Sequence, residues 1–151
     1  MWLTADTLRN GAASGHYYEN YVVMELVKNY AYAKSKVNIT YFRDSNAKEI
    51  DVFIEENNVI HPLEIKKSAS PDRREVKKYS VIDKASLNRG NGGIICMCEE
   101  PIPIDKDNCF IPSNLIWITP IAKVYFQETK QSPKALLFVL VCLENYRKGM
   151  N

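Results

Sequence analysis

Asp51, Glu64 and Lys66 are the residues whose types and spacing could do chemistry in this chain. Each interrupts apolar, strand-like sequence, in Glu49-Ile50-Asp51-Val52-Phe53-Ile54-Glu55 and in Val59–Lys67. A charge in such a setting is costly unless something pairs with it. Two carboxylates from adjacent strands can hold Mg2+ (or Mn2+), hard cations that prefer oxygen ligands, and the carbonyl of Ile65 can add a third oxygen. Such an ion lowers the pKa of a bound water and neutralises charge building on a phosphate. Lys66, a compact cation, could orient that water or stabilise a pentacovalent phosphorus. Such a set suits phosphodiester hydrolysis. The plainer alternative is that these three side chains line the wet face of an antiparallel sheet.

The elements that must position them follow from the pattern around them. Val37 to Arg43 is rich in β-branched and aromatic residues, and Asp44-Ser45-Asn46 turns it into Glu49–Glu55. With side chains alternating, Ile50, Val52 and Ile54 share one face and Glu49, Asp51, Phe53 and Glu55 the other. Glu56-Asn57-Asn58 then turns the chain into the third strand, where Glu64 and Lys66 point the same way. Pro62 cannot donate a ladder hydrogen bond, which predicts a local irregularity just before the site. The spacing of Asp51 from Glu64-Ile65-Lys66, with twelve residues between the acids, resembles the D…ExK signature of the PD-(D/E)XK nuclease superfamily. Glu75-Val76-Lys77 and Glu128-Thr129-Lys130 repeat Glu-x-Lys, but in segments that read as solvated helix or loop.

Upstream, Met1 to Gly15 reads as a lead-in, and a helix is expected from there to about Lys34. Spacing at 100° places Val22, Val23, Leu26, Val27, Tyr30 and Ala33 on one stripe with Glu19 at its centre. Glu19 is either a third acid at the site, a partner for Lys66, or a first-turn carboxylate that caps exposed N–H groups. Downstream, Ser70-Pro71-Asp72 predicts a helix N-terminus with Ser70 as cap. That helix should run to about Lys84, with Val76 and Tyr79 inward and Arg73, Arg74, Lys77 and Lys78 largely outward. Gly93 to Cys98 is a wholly apolar strand of the kind found at the centre of a helix-covered sheet. The order is an αβββαβ core in the α/β class, with a central mixed sheet flanked by helices.

Composition narrows the function classes. The chain has 151 residues and a net charge of +2, which neither requires nor excludes nucleic acid. Residues 66–89 carry eight Lys/Arg against three acids, whereas residues 1–56 carry six against eight. That asymmetry suits a phosphate backbone beside the site, or is simply a solvated helix face. Cys96, Cys98, Cys109 and Cys142 contain no CxxC pair and read as free thiols in a reducing, cytoplasmic setting. The N-terminus lacks the basic and apolar regions of a signal peptide. Pro133, the apolar run Ala135–Leu143 and Arg147-Lys148-Gly149 suggest a C-terminal helix whose apolar part is too short to span a bilayer.

A wider resemblance runs over residues 2–116. Gly15-His16-Tyr17-Tyr18-Glu19-Asn20-Tyr21-Val22-Val23-Met24-Glu25-Leu26, Tyr41-Phe42-Arg43-Asp44, Lys48-Glu49-Ile50-Asp51 and Pro62-Leu63-Glu64-Ile65-Lys66-Lys67-Ser68-Ala69 carry most of it. Together with Trp2-Leu3-Thr4, Ile104-Asp105 and Ile111-Pro112, this pattern resembles the domain of unknown function found at the C-terminus of a family of prokaryotic AAA-type ATPases. The resemblance implies a restriction-endonuclease-like domain over 1–116, with Glu19, Asp51, Glu64 and Lys66 on the acidic-helix and D…ExK positions. It also implies an AAA-type ATPase partner, in cis ahead of residue 1 or in trans. No Gly-x-x-x-x-Gly-Lys-Ser/Thr loop is present, so ATP hydrolysis by that route is not expected of this chain. Residues 117–151 depart from the pattern and are expected to pack as an extension on the domain or on a second copy.

Three functions fit these observations: a Mg2+-dependent nuclease acting on DNA, a catalytically idle nuclease fold that binds DNA or regulates an ATPase, and an assembly module that forms a homodimer.

Overall fold

The computed structural model describes residues 4–118 other than 33, 35, 46 and 47. Nearly all of the extension expected over 117–151, including the apolar run Ala135–Leu143, lies outside the described residues. Two helices open the chain, α1 (Ala5–Asn10) and α2 (Ser14–Tyr32). α1 lies within the stretch expected as a lead-in. Its start is fixed by a capping box, in which the Thr4 side chain accepts from the Thr7 backbone and Thr7 answers to the Thr4 backbone.

Three strands follow, β1 (Asn38–Arg43), β2 (Glu49–Glu56) and β3 (Val59–Lys66), paired antiparallel in succession. The turn between β2 and β3 consists of Asn57 and Asn58 at φ 53° and 62°. Two consecutive left-handed residues make the hairpin turn that matches strand twist, and asparagine tolerates that conformation. β4 (Gly92–Cys96) then pairs parallel to β3, and β6 (Asn108–Pro112) parallel to β4, with the two-residue β5 (Ile102–Pro103) on the outer edge. The sheet order is β1-β2-β3-β4-β6-β5, mixed and six-stranded. β5 and β6 extend the αβββαβ order read from the sequence. Every residue of β4 is buried, as its uniform apolarity requires.

Helices cover both faces. On one, Val22 and Leu26 of α2 pack with Val52, Ile54, Leu63, Ile65, Ile95 and Ile111. Val27, placed on the same stripe by 100° spacing, is exposed instead. On the other face, Val76 and Tyr79 pack with Ile50, Ile94, Cys96 and Phe110. These two residues belong to a 3-10 helix, Arg73–Tyr79, which runs into α3 (Ser80–Lys84). The segment is therefore not the single α-helix expected. Its cap is the Asp72 side chain, which accepts from the Arg74 N–H at 2.8 Å, in place of Ser70.

The alternation expected along β2 is broken. Thr40 pairs with Phe53 and Phe42 with Ile50, so two steps along β1 span three along β2. The extra residue is a β-bulge, and it moves Ile50 to the face of the 3-10 helix while Val52 and Ile54 stay on the face of α2. The irregularity expected at Pro62 thus falls on the neighbouring strand at Asp51-Val52, whereas β3 keeps its register through Phe53↔Pro62.

Tyr79 fixes the 3-10 helix to the sheet by donating its hydroxyl to the Gly93 carbonyl at 2.7 Å. Gly93 must lack a side chain, because a Cβ there would stand 2.7 Å from both the Cys109 carbonyl oxygen and Ile111 Cδ1. Tyr79→Phe keeps the packing and removes one buried hydrogen bond. It should lower stability by about 1 kcal/mol in urea unfolding without changing the m-value.

Candidate functional site

Asp51 sits in the bulge, and its position follows from the ladder that the bulge ends. The last β2–β3 pair is Val52↔Leu63, and beyond it Asp51 Oδ2 accepts the Ile65 N–H at 2.7 Å. A side-chain carboxylate thus replaces a backbone carbonyl as the acceptor, which draws Asp51 towards β3 next to Glu64. Burial pushes the Asp51 carboxyl above its ordinary pKa; the Ile65 N–H opposes that shift, the Glu19 charge adds to it, and Lys66 pulls it back.

Glu64 is buried at 1% exposure on a central strand, a setting in which carboxylates are rare unless paired. Its Oε1 receives two ammonium groups, Lys66 Nζ and Lys78 Nζ, each at 2.8 Å. Its Oε2 is buried and has no hydrogen-bond partner among the described residues. Burial raises the Glu64 pKa despite both amines, and the Asp51 charge raises it further. Burial alone would lower both lysines, but Glu64 and Glu75 outweigh it and hold each amine above its ordinary value. Lys78 also reaches Glu75 at 2.9 Å, and Lys66 lies 3.8 Å from it.

The structure therefore brings Asp51, Glu64, Ile65 and Lys66 together at the junction of β2 and β3. Glu19 lies on α2, close enough for its charge to act on Asp51, with His16 Nδ1 at 3.9 Å. Among the described residues no group of three or more His, Cys, Asp or Glu side chains stands close enough to hold a metal ion. Mg2+ does not require three carboxylates: it is bound through one or two together with several waters. Asp51 and Glu64 meet that donor set, and an unpartnered buried carboxylate oxygen is what a cation would satisfy.

Lys78 and Glu75 were not legible as members of this cluster. At 100° spacing both belong to a solvated face. In a 3-10 helix residues three apart eclipse each other, so Glu75 lines up with Lys78 while Val76 lines up with Tyr79. That i,i+3 apolar pair was the available signal, although an α-helix produces it too. Arg73 and Arg74 are spent elsewhere, Arg73 on the Pro103 carbonyl and Arg74 on Asp72.

Asp51 has a raised folded pKa, so its contribution to stability is fully present below about pH 4 and is lost as pH rises through the folded value. Lys66 and Lys78 are raised by their partners, so theirs is present up to about pH 10 and lost above it. Asp51→Asn can still accept the Ile65 N–H and carries no buried charge. It should melt about 2–4 °C higher than the parent at pH 7, with the difference closing as pH falls towards 4, in paired thermal melts.

A family model described as Domain of unknown function (DUF4143) matches residues 14–116. No curated protein and no solved structure matches the chain.

Proposed function

We propose that this chain, which belongs to the DUF4143 family, is a divalent-metal-dependent phosphodiesterase domain acting on DNA. The observation that supports the reading is the carboxyl pair Asp51 and Glu64, set on adjacent strands beside Lys66, with one buried carboxylate oxygen that no donor among the described residues claims. Mg2+ or Mn2+ would be held by these two side chains and the Ile65 carbonyl; bound there, it supplies Lewis acidity and a water of lowered pKa. Lys66, more exposed than Glu64, carries its ammonium to the phosphate and neutralises the charge that grows there. Glu19 adds negative potential from α2 that favours a cation at Asp51. The Asp51 side chain is held by the Ile65 N–H, which limits the reorganisation a ligand must drive.

A restriction-endonuclease-like core belongs to the same proposal, supported by the mixed sheet with helices on both faces and the two acids on neighbouring strands. So does an AAA-type ATPase partner, in cis or in trans, on the strength of the sequence resemblance. A cytoplasmic setting belongs to the proposal on the cysteine pattern of the sequence, which lacks the paired spacing of a disulfide framework. Among the described residues no helix is long and apolar enough to cross a membrane.

One observation favours a second reading, a catalytically idle fold that binds DNA or regulates an ATPase. Two ammonium groups already neutralise Glu64, as in a buried ion-pair cluster that serves only packing. Nicking of supercoiled DNA with Mg2+ or Mn2+ separates the two. The parent chain should nick, and Asp51→Ala and Lys66→Ala should each lose about 100-fold or more while keeping their circular dichroism. Nicking that survives both substitutions sinks the proposed site. Salt-dependent DNA binding without nicking supports the idle fold, and concentration-dependent mass without DNA affinity supports an assembly role.

A further inference from the structure

Lys78 lies outside the Glu-x-Lys signature, comes from a different element, and competes for the oxygen that Lys66 holds. Its Nζ stands 2.8 Å from Glu64 Oε1 and 2.9 Å from Glu75 Oε2, so it has two carboxylates to choose between. Lys66 has less freedom: it follows Glu64 by two residues on one strand and is only within 3.8 Å of Glu75.

Charge neutrality decides what Lys78 must do when a ligand arrives. A carboxylate at 1% exposure cannot be left without a counter-charge, and in the structure as it stands the two amines provide it. A divalent cation on Glu64 would supply that counter-charge itself. It would also face two like charges on the same carboxylate, and like charges at such range repel strongly away from bulk water. At least one amine must then withdraw. Lys78 is the one with a second carboxylate already at hand: Glu75 stands 2.9 Å from it, against 3.8 Å from Lys66, and the Glu75 side chain is 31% exposed, which leads the amine towards solvent. A displaced ammonium at the rim of a cation site is a ready partner for the phosphate oxygens that accompany the cation.

We propose that Lys78 is a phosphate-recognising residue held in reserve on Glu64, released by divalent-cation binding, so that cation and phosphodiester bind cooperatively. The proposal rests on the metal-dependent reading of Asp51 and Glu64 and adds to it the coupling between the two ligands. Reciprocity requires that a phosphodiester which draws Lys78 away also tightens cation binding, by the same factor.

The test titrates Mn2+ into the full chain by electron paramagnetic resonance of free Mn2+, with and without a short phosphorothioate DNA duplex. In the parent protein the duplex should tighten Mn2+ binding by about tenfold or more. Lys78→Met should bind Mn2+ alone about threefold or more tighter than the parent, and the effect of the duplex should shrink to about a third or less of its parent value. Lys78→Arg keeps a cation of similar reach and should retain the coupling. Should Lys78→Met melt early, Lys78→Gln, which preserves a donor to Glu64 without the charge, carries the same expectation. Parent-like Mn2+ affinity and coupling in Lys78→Met and Lys78→Gln, with binding abolished in Asp51→Asn, overturn the role of Lys78 and leave the metal site standing. Absence of Mn2+ binding in the parent overturns both.

Discussion

A carboxylate excluded from water on the central strand β3 is the constraint on which the arrangement depends. Glu64 must be neutralised, and two amines from two elements are recruited to do it, one from its own strand and one from the 3-10 helix across the face. The 3-10 helix is in turn held to the sheet by the Tyr79 hydroxyl and by Val76 among the core side chains. Packing of that helix therefore serves electrostatics as much as hydrophobic burial, because an amine that arrived elsewhere would leave a buried charge uncompensated. Replacing the whole cluster with apolar side chains of similar volume would be neutral or better for folding alone. Its presence at the junction of two strands beside Asp51 is therefore not accounted for by folding stability alone.

The Asp51–Ile65 hydrogen bond makes the same point at smaller scale. A backbone carbonyl would satisfy the Ile65 N–H without burying a charge. Burying a carboxylate there raises its pKa against the pull of the Ile65 N–H, and it adds a second acid within range of the first. Pairs of ionisable groups pushed away from their ordinary values by burial and by each other are a common mark of reactive sites.

Much of this was legible in the chain itself. The three strands, the Asn57-Asn58 turn, the apolar β4 and the meeting of Asp51 with Glu64 and Lys66 follow from alternation, turn chemistry and one spacing. What was hidden has physical reasons. The bulge in β2 changes the phase of alternation without leaving a proline or glycine to announce it, so Ile50 was assigned to the face of Val52. The 3-10 helix differs from an α-helix by a fraction of a residue per turn, enough to turn Lys78 inward and too little to show in so short a segment. Glu19, at the centre of the stripe that the 100° spacing predicts, stays half-buried on α2, where its charge acts on Asp51.

The bulge also bears on how the sequence can vary. Sides of a strand are assigned by counting residues, and the single uncompensated count between Ile50 and Phe53 decides which core each apolar neighbour enters. Substitution can exchange one side chain for another at these positions, whereas shortening the segment by one residue would swap the allegiance of everything on one side of it. On this physical ground the stretch accepts changes of letter and resists changes of length.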